Sequence, residues 1–245
     1  MNDTRLDVAL VLRGLVPSRE RAQEAIRAGM VRLNGRAVTR AAAPVSETDH
    51  LEVTADPIGY VGRGGLKLAA ALDRFALDPA GLTCLDVGAS TGGFTDCLLQ
   101  RGARQVYAVD VGRAQLHPSL RADPRVVVME ETDIRSLTAL PERPVLASID
   151  VSFISLTLVL PAVVRLIAPG GRIIALIKPQ FEVGPAGVGK GGIVRDPRQH
   201  RVAALRVAAA GRELGLLPDA IVPSPVKGTE GNQEFLTMFR HPGER

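Results

Sequence analysis

Lysine is scarce in this 245-residue chain, and its positions are therefore informative. Of 30 basic residues only four are lysine, namely Lys67, Lys178, Lys190 and Lys227, so arginine is the general cation. Arginine stays protonated in proteins, whereas lysine can give up its proton and offers a compact charge. A retained lysine therefore reflects either chance or a site that needs a titratable cation.

Two of these lysines and two carboxylates lie close to the ends of apolar segments. Asp150 follows one such segment, Lys178 follows the next, and Glu234 precedes the last; Lys67 comes shortly before the first. A hydroxyl that acts as a nucleophile is weakly acidic, so it needs in-line positioning and a group that takes or steers its proton. We expect Lys178 to have this role, with Lys67 next and the two carboxylates orienting the ammonium groups. Two ordinary surface ion pairs are the alternative.

A glycine-rich turn follows the apolar segment Thr83 to Val87 and precedes a helical pattern. Glycines at Gly88, Gly92 and Gly93 let the backbone approach a ligand closely, and amides at the start of a helix can hold its polar groups. The spacing is not G-x-G-x-x-G, which disfavours a nicotinamide nucleotide.

Three carboxylates complete this candidate ligand site. Asp110 lies about twenty residues further on, where an acid can accept hydrogen bonds from two ribose hydroxyls. Asp133 can receive an adenine amino group, and Asp86 favours a positively charged ligand. Together they suit S-adenosylmethionine, which has sulfonium and ammonium charges and no phosphate; a structural turn with solvated acids is the alternative. The expected cofactor-binding residues are Asp86, Gly88, Ala89, Ser90, Thr91, Gly92, Gly93, Phe94, Asp110, Val111, Asp133 and Ile134.

These residues need a fold that brings the ends of several strands together. Short apolar segments alternate with helical patterns from about residue 83, which predicts an α/β domain with a doubly wound, mostly parallel, seven-stranded Rossmann-like sheet. Ligands bind such sheets at the carboxyl ends of the strands. The predicted strands are Thr83–Val87, Gln105–Val109, Arg125–Val128, Val145–Ile149, Arg172–Ile177, Ala220–Val222 and Phe235–Phe239.

The first 54 residues predict a separate small α+β unit. Ser18 can cap a helix that ends at Gly29, and Asn34-Gly35 is a tight-turn signal between short strands. The predicted domains are therefore residues 1–54 and 63–245, joined by a linker at residues 55–62.

Basic residues are concentrated in the small unit. Residues 1–40 contain eight arginines and four acids, a balance that suits binding to the phosphate backbone of RNA. A solvated charged face is the alternative. The expected RNA-binding residues are Arg5, Arg19, Arg21, Arg27, Arg32 and Arg63.

The rest of the composition argues against several classes of protein. Cys84 and Cys97 form no C-x-x-C pair and have no histidine cluster nearby, so we expect no metal site. The first twelve residues lack the apolar core of a secretion signal, and charges interrupt the most apolar stretch, residues 145–168. We therefore expect a soluble, cytoplasmic protein with no membrane partner. The pI of about 9.5 weakly favours an anionic partner.

Four motifs resemble the TlyA family, whose members are often labelled hemolysin A. They are Gly88–Asp96, Asp150–Leu156, Lys178–Glu182 and Gly231-Asn232-x-Glu234-Phe235. The larger domain is similar to FtsJ-type ribose methyltransferases, and this resemblance implies that their Lys-Asp-Lys-Glu catalytic tetrad falls on Lys67, Asp150, Lys178 and Glu234. One departure is Gly62, where many relatives carry serine.

The small unit resembles the S4 (S-four) RNA-binding domain. The matching positions include Arg5-Leu6-Asp7, Ser18-Arg19 and Gly29-x-Val31-x-Leu33-Asn34-Gly35. Together the two resemblances imply an enzyme that transfers a methyl group from S-adenosylmethionine to the 2'-hydroxyl of cytidine in ribosomal RNA of the small, and sometimes the large, subunit. They also imply that ribosomal RNA or the ribosomal subunits are its partners.

Two other functions remain open from the sequence. A membrane-lytic protein, as the hemolysin label suggests, should contain an amphipathic or apolar insertion segment, and none is found. A noncatalytic ribosome-binding or assembly factor would keep the fold and the RNA binding without affinity for S-adenosylmethionine. Lys190 and Lys227 lie in glycine-bearing segments that can close over RNA or cofactor, or are simply mobile.

Overall fold

The computed structural model describes residues 3–54, 58–228 and 230–243. The chain forms two compact units, residues 1–59 and 60–245. The centre of the predicted linker, residues 55–57, lies outside the described residues.

The first unit is a small α+β structure. Ser18 caps its second helix by accepting a hydrogen bond from Arg21 N, and Gly29 follows that helix with a φ of +70°. Leu6, Leu10 and Ile26 are fully buried in its core. Its elements are β1 (Thr4–Arg5), α1 (Leu6–Leu12), α2 (Arg19–Arg27), β2 (Val31–Leu33), β3 (Arg36–Ala37), β4 (Pro44–Val45) and β5 (Leu51–Val53). The strands form an antiparallel sheet in the order β3-β2-β5 and a separate β1-β4 pair.

The second unit alternates strands and helices. Its elements are α3 (Gly64–Arg74), β6 (Thr83–Val87), α4 (Gly93–Gln100), β7 (Gln105–Val109), α5 (Pro118–Arg121), β8 (Val126–Met129), β9 (Leu146–Ile149), α6 (Leu156–Leu166), β10 (Arg172–Ile177), α7 (Pro197–Glu213), β11 (Leu217–Pro223) and β12 (Phe235–Arg240). Short 3-10 helices follow β8 and β10.

Seven strands of the second unit form one sheet in the order β11-β12-β10-β9-β6-β7-β8. β12 is antiparallel to both of its neighbours, whereas β10, β9, β6, β7 and β8 pair in parallel. The predicted fold class, a mostly parallel seven-stranded α/β sheet beside a small α+β unit, is confirmed.

Alternate residues of the central strands pack into two hydrophobic clusters, one on each face of the sheet. On β6, Leu85 and Val87 join the cluster covered by α6 and α7, whereas Cys84 joins the cluster covered by α3 and α4. Because both faces of these strands are buried, their sequences are mostly apolar, and polar exceptions such as Asp86 and Ser148 are buried and hydrogen-bonded to each other. The strand ends therefore remain as the accessible part of the sheet.

Two strand boundaries differ from the prediction in ways that affect the site. β8 ends at Met129, so Asp133 does not end a strand but caps the 3-10 helix Ile134–Ser136 by accepting a hydrogen bond from Arg135 N. β11 is longer than expected because a bulge between Pro218 and Ile221 lets it keep pairing with β12.

Candidate active site

Three residues of the predicted catalytic set lie together at one edge of the large sheet. Asp150 follows β9 and Lys178 follows β10, two parallel neighbours. β12 runs antiparallel beside β10 and pairs Phe235 with Ile177, so Glu234 lies opposite Lys178 across the two strands. The register of the sheet, and not proximity in the chain, brings these side chains together.

Two lysine–carboxylate pairs result. Lys67, on α3, donates from Nζ to Glu234 Oε2 at 2.6 Å, and these side chains are only 10% and 3% exposed. Lys178 Nζ lies 2.6 Å from Asp150 Oδ1 and donates a hydrogen bond to Ser152 Oγ at 2.9 Å. Lys178 and Glu234 both line a cavity of about 340 Å³, which we call the acceptor cavity. Each lysine is thus held by a carboxylate, and Lys178 faces the acceptor cavity.

A second cavity, of about 530 Å³, adjoins the glycine-rich turn, and we call it the cofactor cavity. Asp150, Ser152 and Phe153 line it as well, and Ser152 and Phe153 also line the acceptor cavity. The segment after β9 therefore separates two cavities that share a wall. The predicted cofactor residues that line the cofactor cavity are Gly88, Ser90, Asp110, Val111, Asp133 and Ile134.

Gly88 forms the tightest point of the turn. It has a φ of +84°, and a Cβ added there would lie 2.3 Å from the carbonyl oxygen of Asp150. No side chain fits in this space, so the glycine lets the turn after β6 pass directly against the segment after β9.

Asp110 and Asp133 lie where the sequence predicted ligand-binding acids. Asp110 accepts hydrogen bonds from Ser90 N at 2.8 Å and Gly112 N at 2.7 Å, which fixes its carboxylate at the cavity wall. Asp133 lies 2.6 Å from Arg135 in an ion pair, and hydrogen bonding to this guanidinium holds the pKa of Asp133 below its usual value. Both carboxylates line the cofactor cavity.

The other predicted cofactor residues do not line the cavity. Asp86 is fully buried and accepts hydrogen bonds from Thr95 Oγ1 at 2.7 Å and Ser148 Oγ at 3.2 Å; burial raises the pKa of this carboxyl to about 7. Its interactions in the structure are with protein groups beneath the turn. Ala89 is buried, and Thr91 is exposed outside the cavity lining.

Gly92, Gly93 and Phe94 form the beginning of α4, where it packs against α3. A Cβ at Gly93 would lie 3.0 Å from Gly65 N, and the ring of Phe94 lies close to the Cα of Gly64. The glycines on both helices let α3 and α4 approach closely, so these residues shape the scaffold of the turn.

The prediction missed Phe153, the most exposed large apolar side chain of the described residues at 91%. Its φ of +64° lies in the left-handed region that aromatic residues rarely adopt. The centroid of its ring lies 5.2 Å from that of Phe181. An exposed ring held in a strained backbone between two cavities offers a stacking surface for a planar group such as a nucleobase.

The prediction also missed Glu182, which connects the loops that follow β9 and β10. Its Oε2 accepts from Ser155 Oγ at 2.6 Å, and its Oε1 accepts from Leu156 N at 2.8 Å, at the start of α6. Burial raises the pKa of this carboxyl. The only sequence signal was its place in the Lys178–Glu182 motif, which gave no role to it.

A second missed carboxylate, Glu130, shapes the rim of the cofactor cavity. It accepts hydrogen bonds from the backbone of Ala114, Gln115 and Leu116, and from Arg121 Nη2 at 2.7 Å. The guanidinium of Arg121 and these amides lower the pKa of Glu130 to about 2. Glu130 thereby holds the loop that places Gln115 in the cavity wall.

In the first unit, two of the predicted RNA-binding arginines share one buried carboxylate. Asp7, whose side chain is 0% exposed, accepts hydrogen bonds from Arg5, Arg19 and Gln23. Hydrogen bonding to Arg5 is the main cause that lowers the pKa of Asp7. The two arginine side chains remain 51% and 59% exposed, so each can still contact a ligand.

The remaining predicted RNA-binding arginines have different surroundings. Arg27 donates to the carbonyl of Gln23, and Arg32 donates to the carbonyl of Gly35. Arg21 supplies the backbone amide that Ser18 caps, and Arg63 immediately precedes α3 in the second unit.

The described residues contain no group of three or more His, Cys, Asp or Glu side chains that could hold a metal ion. None of the helices in the described ranges is long and apolar enough to cross a membrane.

Comparison with known proteins agrees with this geometry. Residues 60–241 match the model of the FtsJ-like methyltransferase family, and residues 4–51 match the S4 domain. The chain is 48% identical over 244 residues to the 16S/23S rRNA (cytidine-2'-O)-methyltransferase TlyA of Mycobacterium tuberculosis, a match that spans 98% of this chain and 91% of that protein.

Solved structures give the same result. A protein described as a hemolysin, from Streptococcus thermophilus, superposes with a TM-score of 0.77 and 40% identity over 99% of this chain and 90% of its own. An S-adenosylmethionine-dependent methyltransferase from Mesorhizobium loti shares the fold, with a TM-score of 0.54 and 15% identity over 73% of this chain and 100% of its own. This protein therefore belongs to the FtsJ-like methyltransferase family, within the group that includes TlyA, and it carries an S4 domain.

Proposed function

We propose that this protein transfers a methyl group from S-adenosylmethionine to the 2'-hydroxyl of cytidine in ribosomal RNA. The observation that carries the proposal is the pair of adjoining cavities, which meet at Ser152 and Phe153 beside the Lys178–Asp150 ion pair. One cavity suits a nucleoside-like methyl donor, and the other presents a lysine to an acceptor. The substrate is inferred from the name of the TlyA relative.

The size of the cofactor cavity and the carboxylates that line it suit S-adenosylmethionine. Its volume of about 530 Å³ is in the range of small-molecule sites. Asp110 would accept hydrogen bonds from the ribose hydroxyls, and Asp133 would face the adenine amino group. When bound, S-adenosylmethionine supplies a methyl group on a positively charged sulfonium.

Lys178 is the proposed base or steering residue for the 2'-hydroxyl; to act as the base, its ammonium would first pass a proton to Asp150, its partner in the ion pair. Asp150 and Ser152 hold its Nζ between the two cavities, so that the amine faces the acceptor without free rotation. Glu234 lines the acceptor cavity, adjoins Lys178 across the strands and is held by its ion pair with Lys67. Phe153 is placed to stack on the target base, which would present the ribose to Lys178.

The S4 domain is the proposed RNA anchor. We keep the boundaries predicted above, with RNA binding in residues 1–54, a linker at residues 55–62 and catalysis in residues 63–245. Arg5 and Arg19, oriented by Asp7, are the arginines whose geometry best supports contact with phosphate groups.

The test is a methyl-transfer assay on purified small-subunit ribosomal RNA with labelled S-adenosylmethionine. The unaltered chain should label the RNA, and Lys178→Ala and Lys178→Arg should both lose labelling, because neither side chain can accept the proton. Calorimetry should show that both variants still bind the cofactor. Cofactor binding by the unaltered chain without any RNA labelling would reject the proposed substrate, and absence of cofactor binding would favour a noncatalytic assembly factor.

A further inference from the structure

A loop and helix start beside the acceptor cavity hold cations without carboxylate partners. We call residues 188–201 the basic segment; its cations are Lys190, Arg195, Arg198 and Arg201. All four are exposed. The one acid of the segment, Asp196, caps α7 by accepting a hydrogen bond from the backbone of Arg198. Within the described ranges, none of the four cations forms an ion pair.

Several other arginines of the same unit are paired with nearby carboxylates. The pairs are Arg101–Asp73, Arg104–Glu142, Arg121–Glu130, Arg125–Asp123 and Arg135–Asp133. Other exposed arginines, such as Arg212 and Arg240, also lack an ion pair within the described ranges. The basic segment is distinguished by four unpaired cations close together in the chain beside the acceptor cavity, where their charge remains available to an anion.

The basic segment is fastened to the active site. Asn232, only 1% exposed, accepts a hydrogen bond from Val194 N and donates one to the carbonyl of Gly192, both at 2.9 Å. His200 lies against the ring of Phe235, with centroids 5.4 Å apart. Asn232 lies two residues before Glu234 in the chain, and Phe235 directly follows it. These contacts therefore hold the basic segment at the rim of the acceptor cavity.

The four cations of the basic segment form two neighbouring pairs. Arg198 and Arg201 are three residues apart on α7, which places them on one face of the helix. Arg195 reaches back to the loop and donates to the carbonyl of Lys190 at 3.4 Å, so these two residues are neighbours. Val188 and Gly192, from the same loop, line the acceptor cavity.

We propose that the basic segment binds the phosphate backbone of RNA on the strand that enters the acceptor cavity. The inference rests on the proposed function and deepens it, because it adds an RNA contact within the catalytic unit to that of the S4 domain. Phosphate contacts by arginine and lysine position a nucleic acid without reading its sequence. The segment would hold the nucleotides that flank the target while Phe153 and Lys178 act on the target itself.

The test replaces Arg198 and Arg201 together by glutamine, which removes two charges while keeping long polar side chains. Loss of a positive charge in the first turn of a helix does not oppose the helix dipole, so α7 should stay folded. The matched control is Arg212→Gln with Arg240→Gln. Arg212 is near the last turn of α7, and Arg240 pairs with Arg172, the first residue of β10, so both lie at the opposite edge of the sheet.

Binding of a small-subunit ribosomal RNA transcript is measured from 50 to 300 mM salt, roughly the range in which phosphate contacts dominate. Each lost contact should reduce the magnitude of the slope of log K against log salt by about 0.7, the value for single strands. The slope of the test variant should therefore fall in magnitude by about 1.4, and the variant should bind at least about tenfold more weakly at 0.1 M salt. The control should match the unaltered chain, and both variants should keep cofactor binding.

A slope equal in the test variant and the control would overturn the inference. So would a test variant that binds the transcript normally but loses activity on the assembled subunit, because that result would indicate a protein contact. If the unaltered chain binds RNA and the slope falls as expected but no methyl transfer occurs, the RNA contact is supported and the proposed function fails on its own.

Discussion

The Lys67–Glu234 pair allows a quantitative test of how the site is built. Its side chains are 10% and 3% exposed and connect α3 to the residue before β12, over 167 positions of the chain. Removing one partner of a buried ion pair leaves the other charge buried and unpaired, which costs about 3–5 kcal/mol. We therefore expect Lys67→Met to lower the free energy of unfolding of the second unit by this amount.

The double variant, Lys67→Met with Glu234→Met, should behave differently. Replacing both charges by apolar side chains of similar volume removes the desolvation cost together with the attraction, and such replacements are often neutral. The double variant should therefore unfold within about 2 kcal/mol of the unaltered chain, although it should be inactive.

The assay is urea-induced unfolding followed by far-ultraviolet circular dichroism, since the chain contains no tryptophan. Thermal midpoints give a second readout, and each kcal/mol should shift the midpoint by about 2–4 °C for a unit of this size. The reasoning is refuted if the double variant loses the sum of the two single losses, because the side chains would then contribute independently.

Three further predictions concern carboxylates with shifted pKa values. Burial raises the pKa of Asp86 to about 7. The contribution of its protonated form to the free energy of unfolding is therefore full below the ordinary pKa of 3.8 and is lost as pH rises through 7. The variant Asp86→Asn should flatten the dependence of the free energy of unfolding on pH across this window. The pKa of Glu130 is lowered to about 2. The contribution of its ionised form to the free energy of unfolding is therefore present above the ordinary pKa of 4.5 and is lost as pH falls towards 2. In an acid titration followed by circular dichroism, Glu130→Gln should lose less of its folded fraction over this range than the unaltered chain does. Asp7 orients Arg5 and Arg19, so Asp7→Asn should weaken RNA binding in a filter assay at low salt, whereas unchanged affinity would show that the arginines need no orientation.

The sequence was sufficient to predict the part of the site that depends on strand ends. Short, mostly apolar segments that alternate with helical patterns indicated buried parallel strands, and such strands expose their carboxyl ends at one edge of the sheet. The sequence therefore predicted that Asp150 and Lys178 lie close together, and they do, because β9 and β10 pair in parallel. The distinction between lysine and arginine also came from composition alone.

The parts that were missed depend on contacts distant in the chain. Glu182 and Glu130 act by accepting hydrogen bonds from loop amides, and no local pattern shows which loop a carboxylate will reach. Asp86 looked accessible because it precedes a glycine-rich turn, but alternation along β6 directs it into protein, where Thr95 and Ser148 bind it. The exposed ring of Phe153 sits on a left-handed backbone, and no local sequence pattern predicts that conformation.

The central claim, transfer of a methyl group to a ribose hydroxyl by the site around Lys178, is tested most directly by nucleoside analysis of ribosomal RNA treated with the enzyme and S-adenosylmethionine. The account predicts 2'-O-methylcytidine after treatment with the unaltered chain and none after treatment with Lys178→Ala. Formation of 2'-O-methylcytidine by Lys178→Ala at the unaltered rate, or a methyl group found on a base instead of a ribose, would contradict it.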